Sequence, residues 1–245
     1  MSDDARIRRS LTEGPSATTF VGLPGGTFTR GSTLRADEQP VADVTVDPFA
    51  VALLPVTNRD FQAFRDATGY EALPFLDDPR FNQPAQPVVG VGWHDAVAYC
   101  EWLTTLLGRP CRLPTEAERE FAARGGRPHV LYPWGDEPWS EGPYAFGAAG
   151  MDRPPVVGAS PPNGYGLFHM ADSVHEWCSD WYATAAYQDG HTHNPTGPDD
   201  GERRASRGGS WRHRIKVSRI AARSSLAPER RYNDYGMRVY AEYRG

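Results

Sequence analysis

Apolar positions fall into short groups along the chain, and their spacing changes between strand and helix periods. Residues 20–32 read as a strand broken by the Gly25-Gly26 turn. Val41, Val44, Val46, Phe49, Val51 and Leu53 alternate well enough to predict a second strand over 41–54. The period then lengthens. Thr57 is a good N-cap, and Phe61 and Phe64 share one face of the helix it opens. A second helix is predicted from Trp93 or His94, with Ala96, Tyr99, Cys100, Leu103 and Leu107 as its apolar stripe and Gly108 as its stop. The clearest local signal follows at 112–126. There Thr115 and Glu118 form a capping box, acids crowd the first turn, and Arg124-Gly125 closes a short helix. Beyond it the pattern predicts only loops and short strands, with an exposed acidic, Gly-rich loop over 188–203.

This pattern predicts one α+β domain over 17–245 with two or three helices and little regular secondary structure, preceded by a polar leader over 1–16. Composition sharpens the picture. Of 245 residues, 25 are Gly and 22 Pro, well above the usual combined share of about 12%. Seven Trp, eleven Tyr and ten Phe argue for an ordered, loop-rich fold. The net charge of −5 predicts no nucleic-acid partner, and no stretch approaches the length of a membrane span. Cys100, Cys111 and Cys178 are odd in number and without paired spacing, which does not describe a disulfide framework. With no apolar h-region near Met1, a cytoplasmic location is the expectation. The oligomeric state is not readable.

Candidate chemistry concentrates in two segments. The run from Gly164 to Tyr182 packs glycines, aromatics, acids and imidazoles together, and Arg207-Gly208-Gly209-Ser210-Trp211-Arg212-His213 follows. The two are expected to meet and floor one cleft.

These segments belong to a longer ordered set of motifs. Gly25-Gly26-Thr27-Phe28, Pro55-Val56-Thr57-Asn58, Gly92-Trp93-His94-Asp95-Ala96, Arg112-Leu113-Pro114-Thr115-Glu116 and Tyr132-Pro133-Trp134-Gly135 come first. Asn163-Gly164-Tyr165-Gly166, Glu176-Trp177, Arg207-Gly208-Gly209-Ser210-Trp211 and Gly236-Met237-Arg238 complete it. The chain thereby resembles the formylglycine-generating enzyme (sulfatase-modifying factor) superfamily over nearly its whole length. The resemblance implies a compact fold related to C-type lectins. It also implies several possible functions: cysteine oxidation in sulfatases at a copper(I) site with two cysteines, sulfoxide synthesis, siderophore maturation, or binding modules on kinases. Fold alone does not choose among them.

Two departures from the family pattern bear on function. The catalytic cysteines should follow the Gly-Gly-Ser-aromatic run, yet 211–219 contains none, and His213 stands where the first would be. Copper(I) needs such thiolates, so a true sulfatase-modifying activity is not expected. His175 stands where the family has a Trp, and Asp172-Ser173 replaces Gly-Asn. Two imidazoles in the old cleft suit iron, copper, zinc or nickel, with His169, Asp172 or an unidentified residue as third ligand. The alternative is that these histidines only fill a remodelled pocket.

The resemblance also implies a structural calcium held by the carbonyls of His169, Asp172 and Val174 and the side chain of Glu176, unless Glu176 pairs with an arginine. A second family calcium site is expected to be absent, because Phe146 takes the place of its Asn.

The arginine-rich last third reads as solvated face and internal pairs, or as a site for an anionic group. Trp211, Arg212 and Arg223 are the residues assigned to the substrate pocket. A hydrolase made of Ser210, His213 and Asp180 lacks the nucleophile-elbow context. His191 and His193 sit in the Gly-rich loop, where solvation is the simpler account. The resulting expectation is a metal- and O2-dependent oxidoreductase acting on a small, anionic molecule of specialised metabolism. His175, His213 and Ser210 would form its catalytic centre, with iron or copper as cofactor. The alternative is a non-catalytic ligand- or protein-binding module of the same fold.

Overall fold

A computed structural model describes residues 19–137, 151–213 and 215–244. The expected leader over 1–16 and Phe146 lie outside the described residues. The N-terminal reading resolves into four strands: β1 (Phe20–Leu23), β2 (Gly26–Arg30), β3 (Ala42–Val46) and β4 (Phe49–Ala52). The single strand expected over 41–54 is thus two, which join different sheets. β2 and β3 form a ribbon, whereas β4 sits between β1 and β10 (Tyr240–Glu242) in a sheet of order β1-β4-β10-β5, where β5 is Cys111–Arg112.

Three α-helices follow the predicted periodicity: α1 (Asn58–Thr68), α2 (Trp93–Leu107) and α3 (Glu116–Arg124). The capping chemistry is as read. Thr57 accepts from the Asp60 N–H and Thr115 from the Glu118 N–H, and each helix ends on a left-handed glycine. Phe61, Phe64, Tyr99, Cys100 and Leu103 pack one core with Trp177 and Met237. Phe121 joins Phe28, Phe49 and Tyr240 in a second. Among the described residues no helix is long and apolar enough to cross a membrane.

The sheet that positions the site has the order β8-β7-β6-β9, with β6 (His175–Trp181), β7 (Arg204–Arg207), β8 (Arg223–Leu226) and β9 (Tyr235–Gly236). β6 pairs antiparallel with β7 and parallel with β9, which sets His175 opposite Tyr235 and Glu176 opposite Gly236. Gly236 permits this approach, because a Cβ there would lie 2.6 Å from the Val88 carbonyl oxygen.

Polar side chains are buried beneath this sheet in unusual number, and they are paired. Glu116 bridges Arg207 and Arg223, and Glu120 bridges Arg207 and Arg124. Glu38 takes Arg219 in a fork of 2.7 and 2.8 Å. Burial opposes charging of Glu116 and Glu120, but the adjacent guanidiniums hold both carboxyls below the ordinary range. Asp180 has no such cation. Burial and the nearby Glu116 push it well above its usual value, and its Oδ2 accepts the Glu116 N–H at 2.9 Å.

Candidate metal centre

His175 opens β6, so its backbone is fixed by the sheet, and its N–H donates to the Asp234 carbonyl at 2.8 Å. His213 arrives from the other side, three residues past Ser210. The turn after β7 runs through Gly208 and Gly209, both at positive φ. At Gly209 an L side chain would be strained, and its Cβ would also lie 2.8 Å from the Ser218 Oγ. This turn carries Ser210 to the end of β6, where the Trp211 N–H donates to the Ser173 carbonyl at 2.8 Å.

The two imidazoles meet. His175 Nε2 lies 2.9 Å from His213 Nδ1, with ring centroids 4.9 Å apart. The two rings are therefore in direct contact, as the expectation that they point to one place requires. Asp234, just before β9, joins them: its Oδ2 lies 3.5 Å from His213 Nε2 and accepts from the Ser210 hydroxyl at 3.2 Å. A proton on His213 Nε2 facing this carboxylate leaves Nδ1 to accept from His175 Nε2–H. His175 and Asp234 are buried, whereas the His213 side chain is 35% exposed and is the member that reaches solvent.

Both histidines favour the neutral form. Burial, then the His213 and Arg212 charges, lower His175 to about 3. Burial also lowers His213, against the pull of Asp234. Neutral imidazole is the form that binds metal.

The residues fit a transition ion. Ligand atoms of His175, His213 and Asp234 all lie within 4.8 Å of one another. His175 Nδ1 and Asp234 Oδ1 are buried without a hydrogen-bond partner, an uncommon cost that a ligand could relieve. Two imidazoles and a carboxylate suit iron(II), and also zinc or copper(II), better than copper(I).

Asp234 was not visible from sequence. It lies 21 positions beyond His213, and only the parallel pairing of β9 with β6 brings it to the imidazoles. The one hint is an acid between Asn233 and Tyr235, just before Gly236-Met237-Arg238.

Other expected site residues fall elsewhere. His169 and Asp172 do not supply the third ligand. His169 Nδ1 lies 3.1 Å from Asp172 Oδ1, its Nε2 accepts the Gly158 N–H at 2.8 Å, and Ser160 donates to Asp172 at 2.7 Å. All three form a buried polar knot that ties the 158–160 loop to this turn.

The calcium expectation also requires correction. The Glu176 carboxylate is taken by Arg119 (2.6 Å) and Arg238 (3.0 Å), and both guanidiniums hold it below its ordinary pKa against burial. Arg119 also donates to the Met170 carbonyl and Arg238 to those of Phe168 and His169. Two buried guanidiniums thus hold the Glu176 carboxylate, and one of them also reaches the His169 carbonyl, which does not fit a calcium ion on Glu176. The Val174 side chain packs with Phe81, Val89 and Trp211.

Arg223, assigned to the substrate pocket, is buried on Glu116 and far from solvent. The Trp211 ring is only 6% exposed, tilted against Phe81, with its N–H on the Asn233 carbonyl. It is a wall of the core more than of a pocket. Arg212 is exposed beside the cluster, as expected. Ser210 is buried and touches His213 Nδ1 at 3.2 Å. Asp180 lies on Glu116 and Ser179, so it cannot complete a triad with them. The three cysteines are buried and free. Within the acidic loop, the His193 ring lies 3.1 Å from Asp47 on the surface, and its backbone bridges Thr45.

The fold is a lectin-like α+β scaffold that carries a histidine–carboxylate cluster at the start of β6. The chain belongs to the family of the sulfatase-modifying factor enzyme 1-like domain, which matches residues 8–243. It is 33% identical to the formylglycine-generating enzyme of Mus musculus over 95% of this chain and 78% of that protein. It is 32% identical to the inactive C-alpha-formylglycine-generating enzyme 2 of Bos taurus, over 89% and 86% of the two chains. The solved structure of PvdO from Pseudomonas aeruginosa superposes with a TM-score of 0.81 at 29% identity, covering 94% of this chain and all of that one.

Proposed function

We propose that this family member is a metal-dependent oxidoreductase acting on a small molecule, in specialised metabolism and not on sulfatases. The observation that carries this reading is the meeting of His175, His213 and Asp234, with His213 on the segment where the resemblance puts the catalytic cysteines. The cysteine-free segment 211–219 argues against the thiolate chemistry of the sulfatase-modifying enzymes.

Iron or copper(II), which this donor set suits, would supply one-electron chemistry and reaction with O2 when bound. The chain's own residues do the rest. His175, held by β6 and tilted against Tyr235 with ring centroids 4.9 Å apart, offers a buried neutral imidazole. His213 offers another that reaches solvent. Asp234 supplies a negative charge, oriented by the Ser210 hydroxyl. Beside it, Arg212 presents a guanidinium that suits an anionic substrate group.

Elemental analysis of protein purified without a His tag tests this. One equivalent of iron or copper is expected, lost in His213→Ala and in Asp234→Asn. Protein that binds no transition metal under reducing or oxidising conditions would instead be a binding module of the same fold.

A further inference from the structure

Three donors crowd one oxygen of Asp234, while its Oδ1 has no hydrogen-bond partner. Its Oδ2 faces the Ser210 hydroxyl at 3.2 Å, the Arg212 Nε at 3.3 Å and His213 Nε2 at 3.5 Å. These distances exceed the 2.7–2.9 Å of a tight charge-assisted contact. Other arginines in the protein do meet that standard: Arg219 on Glu38 at 2.7 Å, Arg112 on Glu118 at 2.6 Å and Arg231 on Asp95 at 2.7 Å. Arg212 is also 44% exposed, whereas Arg119, Arg207 and Arg238 are buried. Its second contact is to a neutral group, the Asn233 Oδ1, at 2.7 Å. Arg212 is therefore loosely held and free to leave.

The same carboxylate is the anionic member of the metal cluster. A guanidinium and a metal cation on one carboxylate repel each other, so each weakens the other's binding. A further carboxylate beside His213 would give Arg212 a partner with two oxygens. The cluster also has an aromatic flank. Tyr232 is 46% exposed, and its ring lies 6.3 Å from Tyr235, which covers His175.

We infer that Arg212 is a displaceable internal counter-ion. It neutralises Asp234 in the metal-free protein and is drawn away by the carboxylate of an aromatic acid, so that metal and substrate bind cooperatively. This rests on the metal reading above, and it names both the substrate class and the order built into the site. By linkage, whatever factor the acid adds to metal affinity, the metal adds to acid affinity.

The test is cobalt(II) titration, followed by its visible absorption, of the full chain with and without saturating benzoate, and with benzyl alcohol as the neutral control. Wild-type protein should bind cobalt at least about tenfold more tightly with benzoate, and no more tightly with benzyl alcohol. Arg212→Gln should bind cobalt about tenfold more tightly than wild type without benzoate, and benzoate should add little. Arg212→Lys, which keeps the charge but not the fork, should lie between. Equal cobalt affinity in wild type and Arg212→Gln would overturn the inference while leaving the metal site standing. So would a benzoate effect that persists in Arg212→Gln, since benzoate would then be ligating the metal directly. Cobalt binding to neither protein would overturn the metal reading and the coupling with it. Arg212 is on the surface, and circular dichroism of both variants should match wild type.

Discussion

Acid should loosen this protein through one buried ring. His175 is 2% exposed, packed on Tyr235, and lowered to about 3 by burial and the charges of its neighbours. In the unfolded chain the same imidazole takes up a proton near pH 6.5. Between these values the unfolded state binds a proton that the folded state refuses, so falling pH favours unfolding. The contribution is intact above pH 6.5 and is lost at about 1.4 kcal/mol per pH unit below it. Between pH 7 and pH 5 this amounts to roughly 2 kcal/mol, a substantial part of a typical folding free energy of about 5–15 kcal/mol. The variant His175→Phe keeps a ring against Tyr235 and removes the titration. Urea unfolding in EDTA, at pH 7 and pH 5, should show the wild type losing roughly 2 kcal/mol more than His175→Phe over that interval. Equal losses in the two proteins would mean that His175 is solvated or already charged at neutral pH. The account of it as a neutral, ligand-ready imidazole would then fail.

Two further outcomes follow from the buried charges and thiols. Glu176→Gln leaves Arg119 and Arg238 short of a counter-charge in the core, and should cost about 3–5 kcal/mol in urea unfolding; a loss below about 1 kcal/mol would mean the pairs are not desolvated. Burial raises the thiol pKa of Cys100, Cys111 and Cys178, so a thiol-reactive chromophore should label all three slowly in native buffer and promptly in urea, with Cys178 slowest. Rapid native labelling of Cys178 would contradict its burial at the centre of β6.

Much of this was legible locally. The capping box of Thr115 and Glu118, the stripe of Tyr99, Cys100 and Leu103, and the stop at Gly108 depend on neighbours a few positions away. Periodicity and turn chemistry therefore read them correctly. Between β3 and β4 the local signal is Asp47-Pro48, a turn initiator set inside a run of apolar positions, and pairing with different partners puts the two strands in different sheets. His175 and His213 stood out by type and by departure from the family pattern.

The sequence by itself thus determined the scaffold, the lack of a thiolate pair in the cleft and the two imidazoles. Tertiary structure decided what those imidazoles can do. The parallel seat of β9 beside β6 delivers Asp234 to the histidines, while Arg119 and Arg238 claim Glu176 and so take away the expected calcium carboxylate. Both outcomes concern partners 21 to 62 positions apart. Desolvation makes an unpaired buried charge so costly that each buried carboxylate here takes a cation or a proton wherever the fold brings one within reach. That choice is made in space, and no local spacing along the chain records it.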